Sequence, residues 1–220
     1  MKLLIKSALI LAAIFASTFI IIKSTGILTI EDIRLGFEAL KSQPAYFVGG
    51  LVVLLLFADL FIAVPTMTVI ILAGYFIGFQ FAVMFAFTGL ACAALTGYIL
   101  SRVWGDKLLR FINHDQQQRQ QMHELFQQHG ILVLILSRAM PILPEVSACL
   151  AGVSRMDFPR FVFGWSLGSV PYVILVAYAG SISDLNNPMP AVFIAIGVTT
   201  SLWLAWYWFF RVKFKPISKP

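Results

Sequence analysis

Long apolar runs separated by short polar links organise this chain. Residues 3–22 form a first run, with Lys2 and Lys6 beside its start. A mixed-charge loop at 23–44 holds three acids and three bases and includes a short interfacial helix at most. Residues 60–101 then carry no charge over 42 positions, too many for one membrane helix of about 20. Pro65, Gly74 and Gly78 punctuate this stretch, which divides into a short piece at 65–79 and a span near 81–102. Before it, 46–57 is an apolar piece of 12 residues. At about 1.5 Å per residue, such a piece crosses only about half of a hydrocarbon core about 30 Å thick. Segment 46–79 therefore reads as two half-helices with a break at Asp59 to Pro65. Segment 131–152 reads the same way, because Pro141 and Pro144 prevent one continuous helix. Two further uncharged runs, 161–183 and 185–210, have spanning length and are linked by a piece containing Pro188 and Pro190.

The one clearly polar stretch is 104–128. Leu108, Phe111, Ile112, Met122, Leu125 and Phe126 recur there at helical spacing among Gln, Arg and His. Amphipathic helices on the membrane surface fit this pattern; a solvated loop with incidental apolar residues is the alternative.

Composition agrees with a membrane location. The chain has 220 residues, 60% hydrophobic and 12% charged, with mean hydropathy +0.88, which places it among integral membrane proteins. Cys92 and Cys149 sit in apolar segments and read as small buried hydrophobes. The spacings of the cysteines and of His114, His123 and His129 suit neither a metal nor a redox site, so no metal or other cofactor is expected. Nothing in the pattern points to nucleic acid as a partner.

Charge placement sets the expected orientation. Lys and Arg flank the first run, follow the span ending near 102, precede the span starting near 161, and close the chain at 211–219. Such clusters mark the cytoplasmic side. Both termini then lie in the cytoplasm, with four full spans. Segment 46–79 enters and leaves from outside, and segment 131–152 from the cytoplasm. The loop at 23–44, with Lys23, Arg34 and Lys41, fits this least well. The run at 3–22 reads as an uncleaved span, since no clean small-x-small cleavage site follows it.

The two broken segments also resemble each other. Leu72-Ala73-Gly74 recurs as Leu150-Ala151-Gly152, 78 residues later. Gly89 and Gly168 follow the two triplets by 15 and 16 residues. An inverted repeat of discontinuous helices is a common transporter build, with the site where the breaks meet. The expected fold is an all-α integral membrane protein with about four transmembrane helices and two opposed re-entrant hairpins. Its parts are an N-terminal helix and loop (1–45), a core (46–183) with hairpins at 46–79 and 129–153, and a C-terminal helix with a basic tail (184–220). Trp203, Trp206, Trp208, Phe209 and Phe210 read as an interfacial belt beside that tail.

Arg138 and Glu145 lie inside an apolar segment, where an ionisable group costs about 2.5–3.5 kcal/mol or more, so each is a functional candidate. Arg138-Ala-Met-Pro141-Ile-Leu-Pro144, followed by Ala151-Gly152, Arg155-Met156, Phe161, Gly168, Pro171 and Gly180, resembles the DedA/VTT-domain superfamily, also called SNARE-associated Golgi proteins. Pro65, Gly74, Gly78, Gly89, Gly97, Arg102 and Gly105 match more loosely in the first half. The resemblance covers about Asp59 to Ser181. It implies opposed re-entrant hairpins and a role in moving lipids. Bacterial members are linked to recycling undecaprenyl phosphate, eukaryotic relatives scramble phospholipids, and proton coupling has been proposed for some bacterial members. Two departures stand out. DedA proteins proper carry an acid near the first proline motif, where this chain has Pro65-Thr66-Met67-Thr68; they carry a second arginine where this chain has Pro144, beside Glu145. The chain thus resembles the broader VTT branch more than DedA proper.

The candidate substrate-binding residues are Arg138, Pro141, Pro144, Glu145, Asp59, Pro65, Thr66 and Thr68. Arg138 is suited to clamp a lipid phosphate with two hydrogen bonds, and the first turns after Pro144 and Pro65 offer free N–H groups to an anion. An internal ion pair between Arg138 and Glu145 or Asp59 is the plainer alternative. Glu145 either complements the helix dipole or takes up a proton as phosphate arrives. Gly74, Gly152, Gly168 and Pro171 are the candidate hinges, with helix packing as the alternative. The expected function is a transporter or scramblase of a lipid or lipid-linked phosphate, with anionic phospholipid or polyprenyl phosphate as partners, in the bacterial inner membrane. A homo-oligomer is compatible with the pattern. A structural or partner-binding membrane protein is the first alternative. An intramembrane lipid phosphatase is the second, and it lacks an evident nucleophile.

Overall fold

The computed structural model describes residues 30–40, 43–62, 64–112, 116–139, 143–183 and 189–213. The run at 3–22, Pro141, Pro188 and the tail beyond 213 lie outside them, as do the side chains of most of the polar stretch and of Trp206, Trp208, Phe209 and Phe210. Seven α-helices are described: α1 (Ile30–Ala39), α2 (Ala45–Ala58), α3 (Thr66–Ile112), α4 (Gln116–Leu136), α5 (Leu143–Val153), α6 (Phe158–Ser181) and α7 (Met189–Lys213). A 3-10 turn, Ser137–Ala139, joins the end of α4 to the second break. Among the described residues there is no strand. Two helical stretches are long and apolar enough to cross a membrane, Thr66–Gly105 and Phe158–Ser181.

The breaks fall where the prolines predict. α2 stops at Ala58, and the chain passes through Asp59 to Pro65 before α3 begins. Within α3, Gly78 leaves helical geometry at φ 78° and ψ 167°. That left-handed region is open to glycine without the steric cost of a Cβ. α3 is therefore a short helix, 66–77, followed after the bend by a long one, 79–112. The long helix runs about ten residues past the expected end near 102, and α4 starts inside the polar stretch. Gln is a good helix former, in keeping with the helices expected in the polar stretch. α1 is a helix within the mixed-charge loop; Ile33 and Phe37 are buried, and the Phe37 ring packs in a tilted pair against Phe76 of the short helix.

The long part of α3 and α6 form the central antiparallel pair. Phe79 meets Tyr178 at one end, Phe87 meets Trp165 in the middle, and Tyr98 stacks on Phe161 at the other. The short helices 66–77 and α5 pack against opposite ends of this pair. A Cβ on Gly74 would strike the carbonyl of Ala177 and approach the Ser181 nitrogen at 2.9 Å. A Cβ on Gly152 would strike the carbonyl of Tyr98 and approach the Arg102 nitrogen at 3.0 Å. The two contact sets map onto each other: 177 − 98 = 79 and 181 − 102 = 79. Gly89 and Gly168 behave as a second pair, seating the two long helices on Val53 of α2 and Ile135 of α4 at 3.0 and 3.1 Å. The Leu-Ala-Gly repeat is thus a repeat of helix contacts. Gly74, Gly152 and Gly168 lie in regular helix at these crossings, and the helix continues through Pro171; the bend is at Gly78.

These crossings leave no room for a side chain. Gly152→Ala is expected to destabilise the protein by roughly 1–3 kcal/mol, the usual cost of overpacking. Gly50→Ala, where nothing lies within 4 Å, should be nearly neutral. Thermal unfolding of the two purified variants in one detergent checks the contrast.

Candidate functional site

The two breaks meet at the middle of the central helix pair. Asp59 and Leu60 of the first break, and Arg138, Pro144 and Glu145 of the second, line one cleft with Leu90, Ala93 and Ala94 of α3 and Trp165 of α6. From there helix 66–77 runs towards one end of the pair and α5 towards the other. Both helices therefore present their N-terminal turns, with their free N–H groups, to the same level. The cleft is narrow and has room for about one water molecule.

Asp59 closes its own break. It is 7% exposed. One carboxylate oxygen accepts the N–H of Val64 at 2.8 Å, and the other accepts the hydroxyl of Thr66 at 2.8 Å. Those bonds satisfy the donors that the interrupted helix would otherwise leave buried. Pro65 and Thr68 stand beside this loop but do not line the cleft. Pro141 lies outside the described residues.

Arg138 leaves α4 on the 3-10 turn and reaches α6. Its Nε and Nη2 donate to Ser169 Oγ at 3.3 and 2.8 Å. Its guanidinium lies over the ring of Tyr172, 5.3 Å from the centroid, within cation–π range. Among the described residues, Ser169 is the hydrogen-bond partner of the guanidinium, rather than either carboxyl of the expected ion pair. Its charge still acts on both Asp59 and Glu145. Glu145 occupies the first turn of α5, where an acid complements the helix dipole. Its carboxyl shares the cleft with that of Asp59.

Ser169 and Tyr172 are the site residues that sequence reasoning missed. Ser169 is 1% exposed, and Tyr172 feels the charges of Arg138, Asp59 and Glu145 together. Their spacing of three on one helix is the available signal, and it is weak. A stronger signal lies in the repeat itself. Shifting the chain by 79 places Asp59 on Arg138, Pro65 on Pro144 and Thr66 on Glu145. The two breaks are thus built alike and carry opposite charge at the equivalent position. Among the described residues, no group of three or more His, Cys, Asp or Glu could hold a metal ion.

Comparison with known sequences decides the family. The VTT domain matches residues 64–182, more than half of the chain. The chain belongs to the VTT-domain family. This VTT-domain protein is 30% identical over 95 residues to Protein DedA of Escherichia coli (strain K12), covering 40% of this chain and 43% of that protein. The chain thus matches less than half the length of that relative. An uncharacterized membrane protein of Mycobacterium leprae (strain TN) is 25% identical over 182 residues, covering 74% of the chain and 70% of the relative. No solved structure matches. Family membership and the apolar helices together identify an integral membrane protein of the DedA/VTT family.

Proposed function

We propose that this VTT-domain protein moves a phosphate-bearing lipid between membrane leaflets, with the phosphate passing Arg138. The observation that carries the reading is the convergence of Arg138, Asp59, Glu145 and Pro144 on one mid-level cleft. Ionisable groups inside a membrane bundle mark substrate and ion pathways more often than they mark plain structure. In this reading α2 with helix 66–77 forms one re-entrant hairpin, and α4 with α5 forms the other, from the opposite face. The long part of α3, α6 and α7 are the described spans. Positive-inside placement puts both termini in the cytoplasm of a bacterial inner membrane. An anionic phospholipid or a polyprenyl phosphate supplies the chemistry that a guanidinium recognises.

Ser169 and Tyr172 hold the guanidinium in place for this task. Ser169 takes the Nε–Nη2 edge, which directs the Nη1 end at other acceptors. The narrow cleft must widen before a phosphate fits. Glu145 and Asp59 carry the proton linked to that step, because a charged carboxylate pair would repel the phosphate. Ser169→Ala is expected to raise the apparent KM for lipid on the order of 10-fold or more with kcat within about twofold, since it removes the acceptor of both guanidinium bonds and a hydrogen bond to a charged group is worth about 1.5–3 kcal/mol. Ser169→Thr, which keeps the hydroxyl, should restore it. Initial rates against lipid content in reconstituted liposomes give both parameters.

A purely structural role is the second reading. It is favoured by Asp59, whose two oxygens are satisfied within its own break. Liposomes containing headgroup-labelled lipid separate the two readings, since a stapling protein leaves the inner-leaflet label protected.

A further inference from the structure

Among the described residues, one end of the bundle carries side-chain hydrogen bonds between helices that the equivalent end lacks. Tyr98, on the long part of α3, donates its hydroxyl to the Met156 carbonyl at 2.5 Å. Arg102, one turn on, donates from Nη1 to the same carbonyl at 2.8 Å and also to the Tyr98 hydroxyl. Met156 lies in the turn between α5 and α6. That turn is shaped by Arg155, whose φ of 51° is left-handed. The N–H groups of Arg155 and Met156 return to the carbonyls of Gly152 and Ala151, both at 3.0 Å, in the pattern of a Schellman helix end. The turn therefore presents the Met156 carbonyl outward, to Tyr98 and Arg102. The Tyr98 ring is held in turn by stacking on Phe161, with centroids 4.4 Å apart.

The repeat-related end is built differently. A shift of 79 puts Ala177 at the place of Tyr98 and Ser181 at the place of Arg102. Ala177 has no donor, and Ser181 Oγ bonds the carbonyl of Tyr178 in its own helix. Helix 66–77 is held there by the Gly74 and Gly180 backbone crossings, and it is followed by the bend at Gly78.

Between the fastened end and the charged cleft lies Cys149. It stands one turn from Glu145 on α5, is 8% exposed, and packs against Gly97 of α3. Anything reaching the cleft from the Arg102 end between α3 and α5 passes this sulfur.

We propose that Tyr98, Arg102 and the Met156 carbonyl form a latch that keeps α5 closed on α3 and regulates access to the cleft from the Arg102 end. At the opposite end, no equivalent side-chain bond holds helix 66–77 among the described residues. The proposal deepens the transport reading by naming how one face of that site is gated, but its test needs no transport. Cys92, expected to be buried, is exposed; it is first replaced by Ala, which leaves the buried Cys149 as the reporter. The protein is placed in lipid nanodiscs, where both faces meet solvent, and the rate of maleimide labelling is measured. Tyr98→Phe keeps the ring and its stacking but removes the hydroxyl; Arg102→Gln removes the charge and its fork. Each variant is expected to label about 10-fold faster than its parent, equivalent to about 1.4 kcal/mol lost from closure. Thermal unfolding should stay close to that of the parent. Labelling within about twofold of the parent in a folded variant, on a scale where 1.4 kcal/mol is tenfold, overturns the latch. If either substitution prevents folding, the other decides. Failure of wild-type protein to move lipid, with faster labelling in the variants, removes the transport reading and leaves the latch standing.

Discussion

Arg138→Ala is expected to lower lipid movement on the order of 100-fold while the protein still folds. The substitution removes the cation beside the cleft, and with it the charge-assisted bonds available to a phosphate, which are worth about 2–4 kcal/mol in a desolvated site. At about 1.4 kcal/mol per factor of ten, that range brackets the stated loss. Folding should survive because the partners of Arg138 retain alternatives. Ser169 sits in a helix, where its hydroxyl can bond a carbonyl one turn back, and Tyr172 keeps its apolar packing. Arg138→Lys should recover only part of the rate, since an ammonium cannot offer the planar fork of a guanidinium. Rates for the three proteins at equal reconstitution density, with thermal unfolding as the control, check this. A drop in melting temperature of the alanine variant that parallels the loss of rate would instead favour the stapling role.

Glu145→Gln is expected to remove the pH dependence of the rate. Glu145 shares the cleft with Asp59, and in the proposed reading the pair binds and releases a proton as its charge environment changes. A phosphate adds negative charge to that environment and favours the protonated pair; loss of the proton repels it. Wild-type movement should therefore slow as pH rises over the range in which the pair loses its proton. Gln keeps the shape but carries no titrating proton, so its profile should be flat. Measuring rates across pH in liposomes buffered alike on both sides isolates this effect from any driving gradient. A flat wild-type profile, together with an unaltered Gln variant, would assign Glu145 to the helix dipole alone.

The breaks were visible because proline and lipid impose strict local rules. Pro65 and Pro144 each precede or open a short helix, and Gly78 bends the chain as its place in a long apolar run suggested. Asp59, Arg138 and Glu145 drew notice because charge is scarce in such segments. Their neighbours could not be read in that way. Ser169 and Tyr172 are ordinary residues for a membrane helix, and their contact with Arg138 spans about thirty positions of sequence. The latch between Tyr98, Arg102 and Met156 crosses more than fifty and ends on a backbone carbonyl, which has no sequence signature. The start of α4 inside the Gln-rich stretch was obscured because weak amphipathicity reads alike for a surface helix and for the first turns of a longer one. The Leu-Ala-Gly repeat was legible as three letters; its meaning as paired helix crossings came from the backbone contacts of Gly74 and Gly152.

The most direct test of the central claim is movement of a headgroup-labelled anionic phospholipid in liposomes containing the purified protein, read by quenching with an impermeant reagent. The account predicts that wild-type protein exposes the inner-leaflet label and that Arg138→Ala does not. Label that stays protected with folded wild-type protein, as in protein-free liposomes, and does so for a labelled polyprenyl phosphate as well, would contradict it.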